Sequence, residues 1–344
     1  MSNQLFTELE NITEKEFFRR ELGIEIITVK TIDEINTSDN LFIATNNPGY
    51  WLPFLEKLKE NSCVFFLIGN ETYDPEIFNS LNNIKALRHV FVYNMPTKIK
   101  KSTLIKTLIG NIIDVYGYKE KSNESAYRDF RNSMYLIKKF NKTVISYPHS
   151  RLPQGYSNNF AYKLSSKLNL SGSESLLTDK ILSFALPLHL RSKFISFSGQ
   201  PTNRKRKLMI FWAQNYMDEQ PDITEGFRGL EASGDLKYID QLFKSKFILV
   251  PPGSFNNSNH RYTESLICGS IPLILAKNSI DPSENNNWTN EIPNLKAYSA
   301  KLLLKYASKM DINDLEFLLS KIRRENFDEI YRFKDVFQYL SSLP

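Results

Sequence analysis

Short hydrophobic runs alternate with amphipathic stretches through the first half of the chain. The runs are rich in β-branched and aromatic residues and are short enough for strands, and stretches such as Trp51–Lys59 and Asp74–Leu87 have helical periodicity between them. This alternation is typical of a parallel sheet with crossover helices. The predicted strands are Ile24–Val29, Leu41–Thr45, Val64–Ile68, His89–Tyr93 and Thr143–Ser146.

The pattern starts again near residue 193, after a hinge-like stretch at residues 185–188. The second unit has predicted strands at Lys193–Ser198, Phe247–Val250 and Ile271–Leu275, and predicted helices at Arg204–Trp212 and Thr263–Cys268. Near the end of the chain, Asp311 or Asn313 is expected to cap a helix over Asp314–Arg323, and Asn326 a second one over Asp328–Leu340. The sequence therefore predicts two α/β units followed by a helical C-terminus.

The loops after the predicted strands are the first places to look for a binding site, because ligands of open α/β sheets gather outside the carboxyl ends of the strands. Asn46 and Asn47 follow the second predicted strand, and Glu71 follows the third. Amides at such positions can hydrogen-bond a polar ligand, although an Asn-Asn-Pro-Gly loop is equally typical of turn chemistry.

Charge is unevenly distributed along the 344 residues, which carry a formal net charge of +6. Residues 1–50 hold 4 basic and 9 acidic side chains, whereas residues 101–200 hold 15 basic and 6 acidic ones. The basic surplus favours an anionic partner: a phosphorylated small molecule, an anionic lipid surface or a nucleic acid. A merely solvated basic face is the alternative.

Hydropathy predicts no membrane span, because no window approaches the roughly 18 to 20 apolar residues that one needs. The first residues also lack the basic and apolar regions of a secretion signal, so we expect a cytoplasmic protein. Cys63 and Cys268 lie inside apolar runs and are expected to be buried, reduced thiols.

Several common catalytic signatures are missing from the sequence. It has no glycine-rich dinucleotide or P-loop motif, no Gly-x-Ser-x-Gly and no His-Glu-x-x-His. It also has no Asp-x-Asp, a pair that sugar transferases commonly use to hold a nucleotide diphosphate through a divalent cation. The four histidines show no metal-ligand spacing, so neither a metal nor another cofactor is expected.

The most informative segment is Tyr238–Leu275, in which a strand leads through Pro251-Pro252-Gly253-Ser254 and a polar loop to a helix. Arg261 and Glu264 would share one face near the start of that helix. An arginine beside free backbone N–H groups can bind a diphosphate without a metal, and a glutamate one turn later can accept from ribose hydroxyls. An ordinary surface ion pair is the alternative for an isolated Arg-x-x-Glu.

The setting of this pair resembles the donor-binding signature of exostosin-like glycosyltransferases. Two positions depart from the family pattern: Asn259 stands where a serine is usual, and Ser265 replaces a small alanine. The positions in register are Ser245, Phe247, Pro251, Gly253, Arg261, Glu264, Gly269, Ile271, Pro272 and Ile274.

Two further stretches are similar to this family. The run from Phe194 to Gly199, followed by Arg204 and Arg206, looks like the strand, glycine loop and arginine at the start of the donor domain. In the first half, residues 65–71, 91–94 and 152–156 are similar to the acceptor-side half of the ribitol-xylosyltransferase-like branch. The resemblance is specific over about 193–283, suggestive over 41–160 and absent from the termini.

The resemblance implies the GT-B architecture, in which two Rossmann-like domains face a cleft. Residues 1–187 would form the acceptor-binding domain and 188–325 the nucleotide-sugar donor-binding domain, with 326–344 as a helix that packs back on the first. It further implies an inverting, metal-independent transfer of a sugar from a UDP-sugar. The implied donor-binding residues are Gly199, Arg204, Arg206, Pro252, Gly253, Ser254, Arg261 and Glu264.

The catalytic base should be a carboxylate or a histidine of the first domain that faces the cleft. Glu71 is the choice, with His149 and Asp74 in reserve; a loop carboxylate or helix cap is the alternative for Glu71. Asn46, Asn47 and His149 are the predicted acceptor-binding residues.

The expected partners are a nucleotide-sugar donor and a glycan or lipid-linked oligosaccharide acceptor of polysaccharide biosynthesis. The basic stretch would suit a phosphorylated or lipid-diphosphate-linked acceptor and peripheral association with the inner face of a membrane. One rival is a catalytically inactive relative that binds a glycan or acts as a scaffold. A second rival, a nucleic-acid-binding protein, is not expected because no nucleic-acid motif is present.

Overall fold

The first half of the chain forms one sheet of six parallel strands in the order β2-β1-β3-β4-β5-β6. The strands are β1 Gln4–Thr7, β2 Glu25–Thr28, β3 Leu41–Thr45, β4 Cys63–Leu67, β5 Leu87–Val92 and β6 His149–Arg151. The computed structural model describes residues 4–10, 12–30, 35, 41–68, 75–93, 101–116, 118, 145–201, 204–223, 236–251, 260–275 and 296–343.

The helices of this half cross between the strands or follow the sheet. They are α1 Lys15–Phe17, continued by a π-helical turn at Phe18–Leu22, α2 Pro48–Leu55, α3 Pro75–Leu81, α4 Lys101–Val115, α5 Asn158–Leu168 and α6 Asp179–Leu182.

The central strands are buried on both faces, which explains why they read as continuous hydrophobic runs. In β3 and β4 all ten residues are buried. Phe42 and Phe66 point into the core shared with the C-terminal helix, whereas Ile43 and Phe65 point into a second core with Trp51. The sheet therefore lies between two apolar layers.

The second half contains a three-stranded parallel sheet in the order β11-β10-β7 and a short parallel pair, β8 with β9. The strands are β7 Lys193–Ser196, β8 Ser198–Gly199, β9 Asp222–Ile223, β10 Ser245–Leu249 and β11 Ile271–Leu273. The helices are α7 Arg204–Gln214, α8 Lys237–Lys244, α9 His260–Ile267, α10 Ala300–Ala307 and α11 Ile312–Ser342.

The last helix, α11, connects the two halves. It is 31 residues long and begins at Asp311, whose side chain accepts a hydrogen bond of 2.8 Å from the N–H of Asn313. Phe337 packs against Phe42 at 5.1 Å between ring centroids, and Phe333 against Phe91 at 4.9 Å. The C-terminal part of α11 thus covers one face of the six-stranded sheet.

Helix α4 lies within the range predicted for the first domain but contacts the second half. The Asp114 carboxylate accepts hydrogen bonds from the Ser299 hydroxyl at 2.6 Å and the Ala300 N–H at 2.8 Å, at the start of α10. The Asp114 carbonyl accepts from the indole N–H of Trp212 at 3.0 Å. A residue of the first half therefore caps a helix of the second.

The predicted α/β class is confirmed, with three local corrections. Of the predicted strand Thr143–Ser146, residues 145–146 are irregular and residues 143–144 lie outside the described part of the chain; a strand follows at His149–Arg151. Strand β1 was not predicted, because four residues at the start of the chain give too short a pattern. Asn326 does not start a new helix: it is buried within α11.

Candidate functional site

The carboxyl ends of the second sheet bring several predicted donor-site residues to one edge. Gly199 follows β7, and α9, which leads from β10 to β11, begins beside the same edge with His260 and Arg261. In a parallel sheet this edge also receives the N-termini of the crossover helices, whose free N–H groups favour anions. Pro252, Gly253 and Ser254 belong to the same loop but lie outside the described residues.

Arg261 lies directly against Gly199. Gly199 has φ +145°, and a Cβ added to it would stand 2.3 Å from Nη2 of Arg261. The Arg261 guanidinium is 5.8 Å from the ring centroid of Phe197, on the same strand edge. A side chain at position 199 would therefore be strained and would displace the arginine, which explains the glycine physically.

Arg206 adds a second cation to this edge. Its Nη1 donates to the carbonyl oxygen of Gln200 at 3.1 Å. Burial, and secondarily the neighbouring charge of Arg261, lowers the pKa of Arg206 to about 10. Two guanidinium groups therefore lie at this edge, and planar, bidentate donors of this kind suit an anion with several oxygens.

Arg204, the other arginine of the predicted donor set, is the first residue of α7. Its Nε is buried and has no hydrogen-bond partner among the residues that the structure describes. The basic run thus contributes two arginines with different surroundings, and Arg206 is the one coupled to Arg261.

The prediction that Glu264 binds a ribose requires its carboxylate to be exposed at the edge, but the carboxylate is buried. Glu264 is 2% exposed, and its carboxylate accepts from the Ser157 hydroxyl at 2.7 Å, the Ser157 N–H at 3.0 Å and the Tyr238 hydroxyl at 2.6 Å. Burial, followed by the charge of Glu264, raises the pKa of Tyr238 well above its usual value. In this conformation Glu264 fastens α9 to the first half of the chain.

Two other residues of α9 also contact the first half of the chain. Thr263 donates to the carbonyl oxygen of Gln154 at 2.7 Å, and Nε2 of His260 is 3.2 Å from Oε1 of Glu14. The helix that carries Arg261 is therefore held by the segment before α5 and lies beside the segment after β1.

Gly269, another position of the signature, has a structural role behind the edge. Its φ is +73°, which a glycine adopts readily after a helix, and a Cβ there would stand 2.7 Å from Nη2 of Arg191. Arg191 is 5% exposed and donates to the carbonyl oxygens of Ser245 at 2.8 Å and Cys268 at 3.2 Å. Burial lowers the pKa of Arg191 to about 10.

The six-stranded sheet has its own site at the topological switch point, where its strand order reverses between β1 and β3. Glu8 follows β1 and is only partly buried. One oxygen accepts from the Thr45 hydroxyl at the end of β3, and the other from the indole N–H of Trp51 at 2.8 Å. Sequence reasoning missed Glu8 because it missed β1; an acidic residue after a short apolar run was the available signal.

Glu8 belongs to a loop that connects the two sheet edges. The loop leaves the carboxyl end of β1 at Glu8 and reaches Glu14, which contacts His260 beside Arg261. The carboxyl ends of both parallel sheets therefore border the same segment of chain.

The predicted acceptor residues differ in position. Asn46 and Asn47 are exposed between β3 and α2, and the Asn47 N–H donates to the Thr45 hydroxyl at 2.9 Å, beside Glu8. His149 is exposed at the first residue of β6, with Nδ1 2.9 Å from the Tyr147 carbonyl oxygen. The structure brings Asn47 to the switch point and leaves His149 at the opposite end of a short edge strand. Glu71 and Asp74 lie outside the described residues.

The described part of the chain offers few other groups that could bind a metal or take part in catalysis. It contains no group of three or more His, Cys, Asp or Glu side chains placed to hold a metal ion. Cys63 and Cys268 are free and buried, and burial raises the pKa of both thiols. A cavity of about 760 Å³ lies between residues 177–191 and α11, but Arg261 and Glu8 do not line it.

Comparison with protein-family models, with characterised proteins and with solved structures gave no match to this chain. Among the described residues, no helix combines the length and the apolar character needed to cross a bilayer.

Proposed function

We propose that this protein is an inverting, metal-independent glycosyltransferase that moves a sugar from a UDP-sugar to a glycan or to a lipid-linked or phosphorylated acceptor in polysaccharide biosynthesis. The observation that carries the proposal is the position of Arg261 against Gly199, with Arg206 bound to the Gln200 carbonyl next to it, at the carboxyl edge of a parallel sheet. Such an edge suits the diphosphate of a nucleotide sugar, because two guanidinium groups supply charge that a metal would otherwise provide.

The proposed architecture is GT-B, with the donor on the second sheet and the acceptor on the first. Its support is that the loop between Glu8 and Glu14 borders both carboxyl edges, so a donor and an acceptor bound there would face each other. On this view the contacts of α9 with Ser157 and Gln154 close the floor of the cleft. The boundaries at residues 187 and 325 remain predictions.

The proposed reaction is a single displacement at the anomeric carbon. An acceptor hydroxyl attacks that carbon while the bond to the diphosphate oxygen breaks, and the hydroxyl proton passes to a carboxylate. Arg261 and Arg206 stabilise the charge that develops on the leaving diphosphate. The geometry adds Glu8 to Glu71 as a candidate for the base, since Glu8 stands at the edge of the proposed acceptor sheet with its oxygens oriented by Thr45 and Trp51.

Nucleotide binding tests the proposal most directly. Thermal unfolding is measured with UDP, GDP, CMP and ADP, with and without EDTA, for the wild type, Arg261→Ala and Lys207→Ala. Lys207→Ala is the control, because this substitution removes one positive charge from an exposed position of α7. UDP at about 100 times its Kd should stabilise the wild type by about 2.7 kcal/mol.

We expect the UDP effect to survive EDTA, to persist in Lys207→Ala and to disappear in Arg261→Ala. A wild type that responds to none of the nucleotides would instead support the inactive glycan-binding or scaffold alternative. An undiminished UDP effect in Arg261→Ala would move the nucleotide site away from this sheet edge.

A further inference from the structure

One side of α4 exposes a row of large apolar side chains. Ile105 is 58% exposed, Ile109 38%, Ile112 59%, and Tyr116, which follows the helix, 81%. Their spacing of four, three and four residues places them on one side of the helix. We call these four residues the α4 stripe. Contiguous exposed apolar surface of this kind marks an interaction site more often than scattered hydrophobic residues do.

The opposite side of α4 is fixed in the fold, so the helix cannot rotate to bury the stripe. Thr107 and Asp114 are each 3% exposed. Gly110 lies so close to Tyr298 that an added Cβ would be 2.3 Å from its carbonyl oxygen. Asp114 accepts hydrogen bonds from Ser299, Ala300 and Lys301 at the start of α10. The stripe therefore faces away from the parts of the second half that the structure describes.

The charges around α4 are those that an anionic surface attracts. The helix begins at Lys101 and includes Lys106, which lies 6.0 Å above the ring of Tyr298, while its acidic residue, Asp114, is buried on the other side. In the sequence, further lysines stand shortly before and after it. These flanking lysines are Lys98, Lys100, Lys119 and Lys121.

From this arrangement we infer that the α4 stripe docks on an anionic lipid surface. The helix would lie in the plane of the membrane over its length of about 22 Å, with the three isoleucines in the apolar boundary and Tyr116 at the level of the headgroups. Lys106, on the same helix, would contact lipid phosphates.

The inference goes beyond the proposed transferase activity and does not depend on it. The diphosphate site involves Arg261 and Arg206, whereas docking involves α4 alone. Nucleotide binding and lipid binding can therefore succeed or fail separately, and if both hold, the membrane face would present a lipid-linked acceptor to the enzyme.

Vesicle co-sedimentation of the full-length protein tests the inference. One set of vesicles contains equal parts of phosphatidylcholine and phosphatidylglycerol, and the other contains phosphatidylcholine alone. The double variant Ile105→Gln/Ile112→Gln is compared with Phe317→Gln, which changes a 71% exposed residue of α11. All positions are exposed, so we expect unfolding temperatures close to that of the wild type.

The wild type and Phe317→Gln should bind the anionic vesicles, and the double variant should bind at least about tenfold more weakly. Binding should fall at about 1 M salt, where the Debye length is about 3 Å. Three results would overturn the inference: no wild-type binding to anionic vesicles at low salt, equal binding by the double variant, or a double variant altered only in self-association.

Discussion

At the scale of single residues, Gly199 decides where the Arg261 guanidinium lies. Gly199→Ala would place a Cβ 2.3 Å from Nη2 of Arg261 at a φ of +145°. We expect the arginine to move and UDP binding to lose about 1.5–3 kcal/mol, which corresponds to more than about tenfold in affinity. Isothermal titration with UDP measures this loss.

The matched control is Gly172→Ala, because no atom lies within 4 Å of a Cβ built at that exposed glycine. This variant should bind UDP as the wild type does. Wild-type affinity in Gly199→Ala would show that the contact between Gly199 and Arg261 has no part in nucleotide binding.

At the first sheet, Glu8 is the described residue proposed as a candidate for the catalytic base. Glu8→Gln retains the shape of the side chain but removes its capacity to take a proton. Since a general base contributes about 10²–10⁴ in rate, we expect kcat for UDP release from an accepted UDP-sugar to fall by that factor. The thermal effect of UDP should stay unchanged, because Glu8 lies on the other sheet edge.

Glu10→Gln, at an exposed position of the same loop, is the control and should retain wild-type turnover. Glu71→Gln is measured in parallel. A full loss of turnover in Glu71→Gln with normal turnover in Glu8→Gln would assign the base to Glu71, as the sequence predicts.

Glu264 and Arg261 show how far residue-level prediction reaches. Their spacing correctly places both on α9, but Glu264 accepts hydrogen bonds from Tyr238 and from Ser157, which lies 107 positions away in the sequence. Local periodicity carries no information about such a contact. For the same reason the placement of Arg206 and Arg261 at one sheet edge required the folded sheet, although each arginine stood out in the sequence.

At the scale of elements, the attachment of α4 to α10 depends on a buried carboxylate. Burial raises the pKa of Asp114 from 3.8 to about 6, against the opposing effects of its hydrogen bonds and of Lys301. Because the folded pKa exceeds the unfolded one, the folded state binds this proton more tightly. The contribution of Asp114 to stability is therefore fully present below about pH 3.8 and is lost as the pH rises through about 6.

Asp114→Asn removes this titration while retaining the size of the side chain. Between about pH 5 and about pH 7.5, the free energy of unfolding of the wild type should fall by about 1 kcal/mol relative to that of the variant. Urea unfolding at the two pH values measures the difference. A constant difference would mean that Asp114 does not titrate in this range.

Prediction of the elements succeeded where burial produces a local pattern. Strand β3 was predicted with its observed bounds, because all five of its residues are buried on a sheet covered on both faces. The C-terminal break at Asn326 was wrong, because Phe327, Ile330 and Phe333 continue one apolar face through that position. Packing against the first sheet overrides the local capping preference of asparagine.

At the scale of the whole molecule, the two sheets share one apolar core. A single cluster of buried residues extends from Leu5 in β1 through Phe337 in α11 to Phe247 in β10. Polar contacts of α9 with Glu14, Gln154 and Ser157 run alongside it. The proposed cleft could open with this core intact or only by breaking its contacts. Whether the two halves unfold together shows how strongly the core couples them.

Phe337→Ala tests whether the halves unfold together. Phe337 is 0% exposed and packs between Phe42 and Phe66, so its loss should cost about 3–5 kcal/mol. Because the core is shared, amide hydrogen exchange should accelerate in β10 and β11 as well as in β3 and β4. Val336→Ala, at a 41% exposed neighbour on α11, should leave both regions close to the wild type. Unchanged protection of β10 and β11 in Phe337→Ala would mean that the second sheet is stable on its own and that α11 belongs energetically to the first.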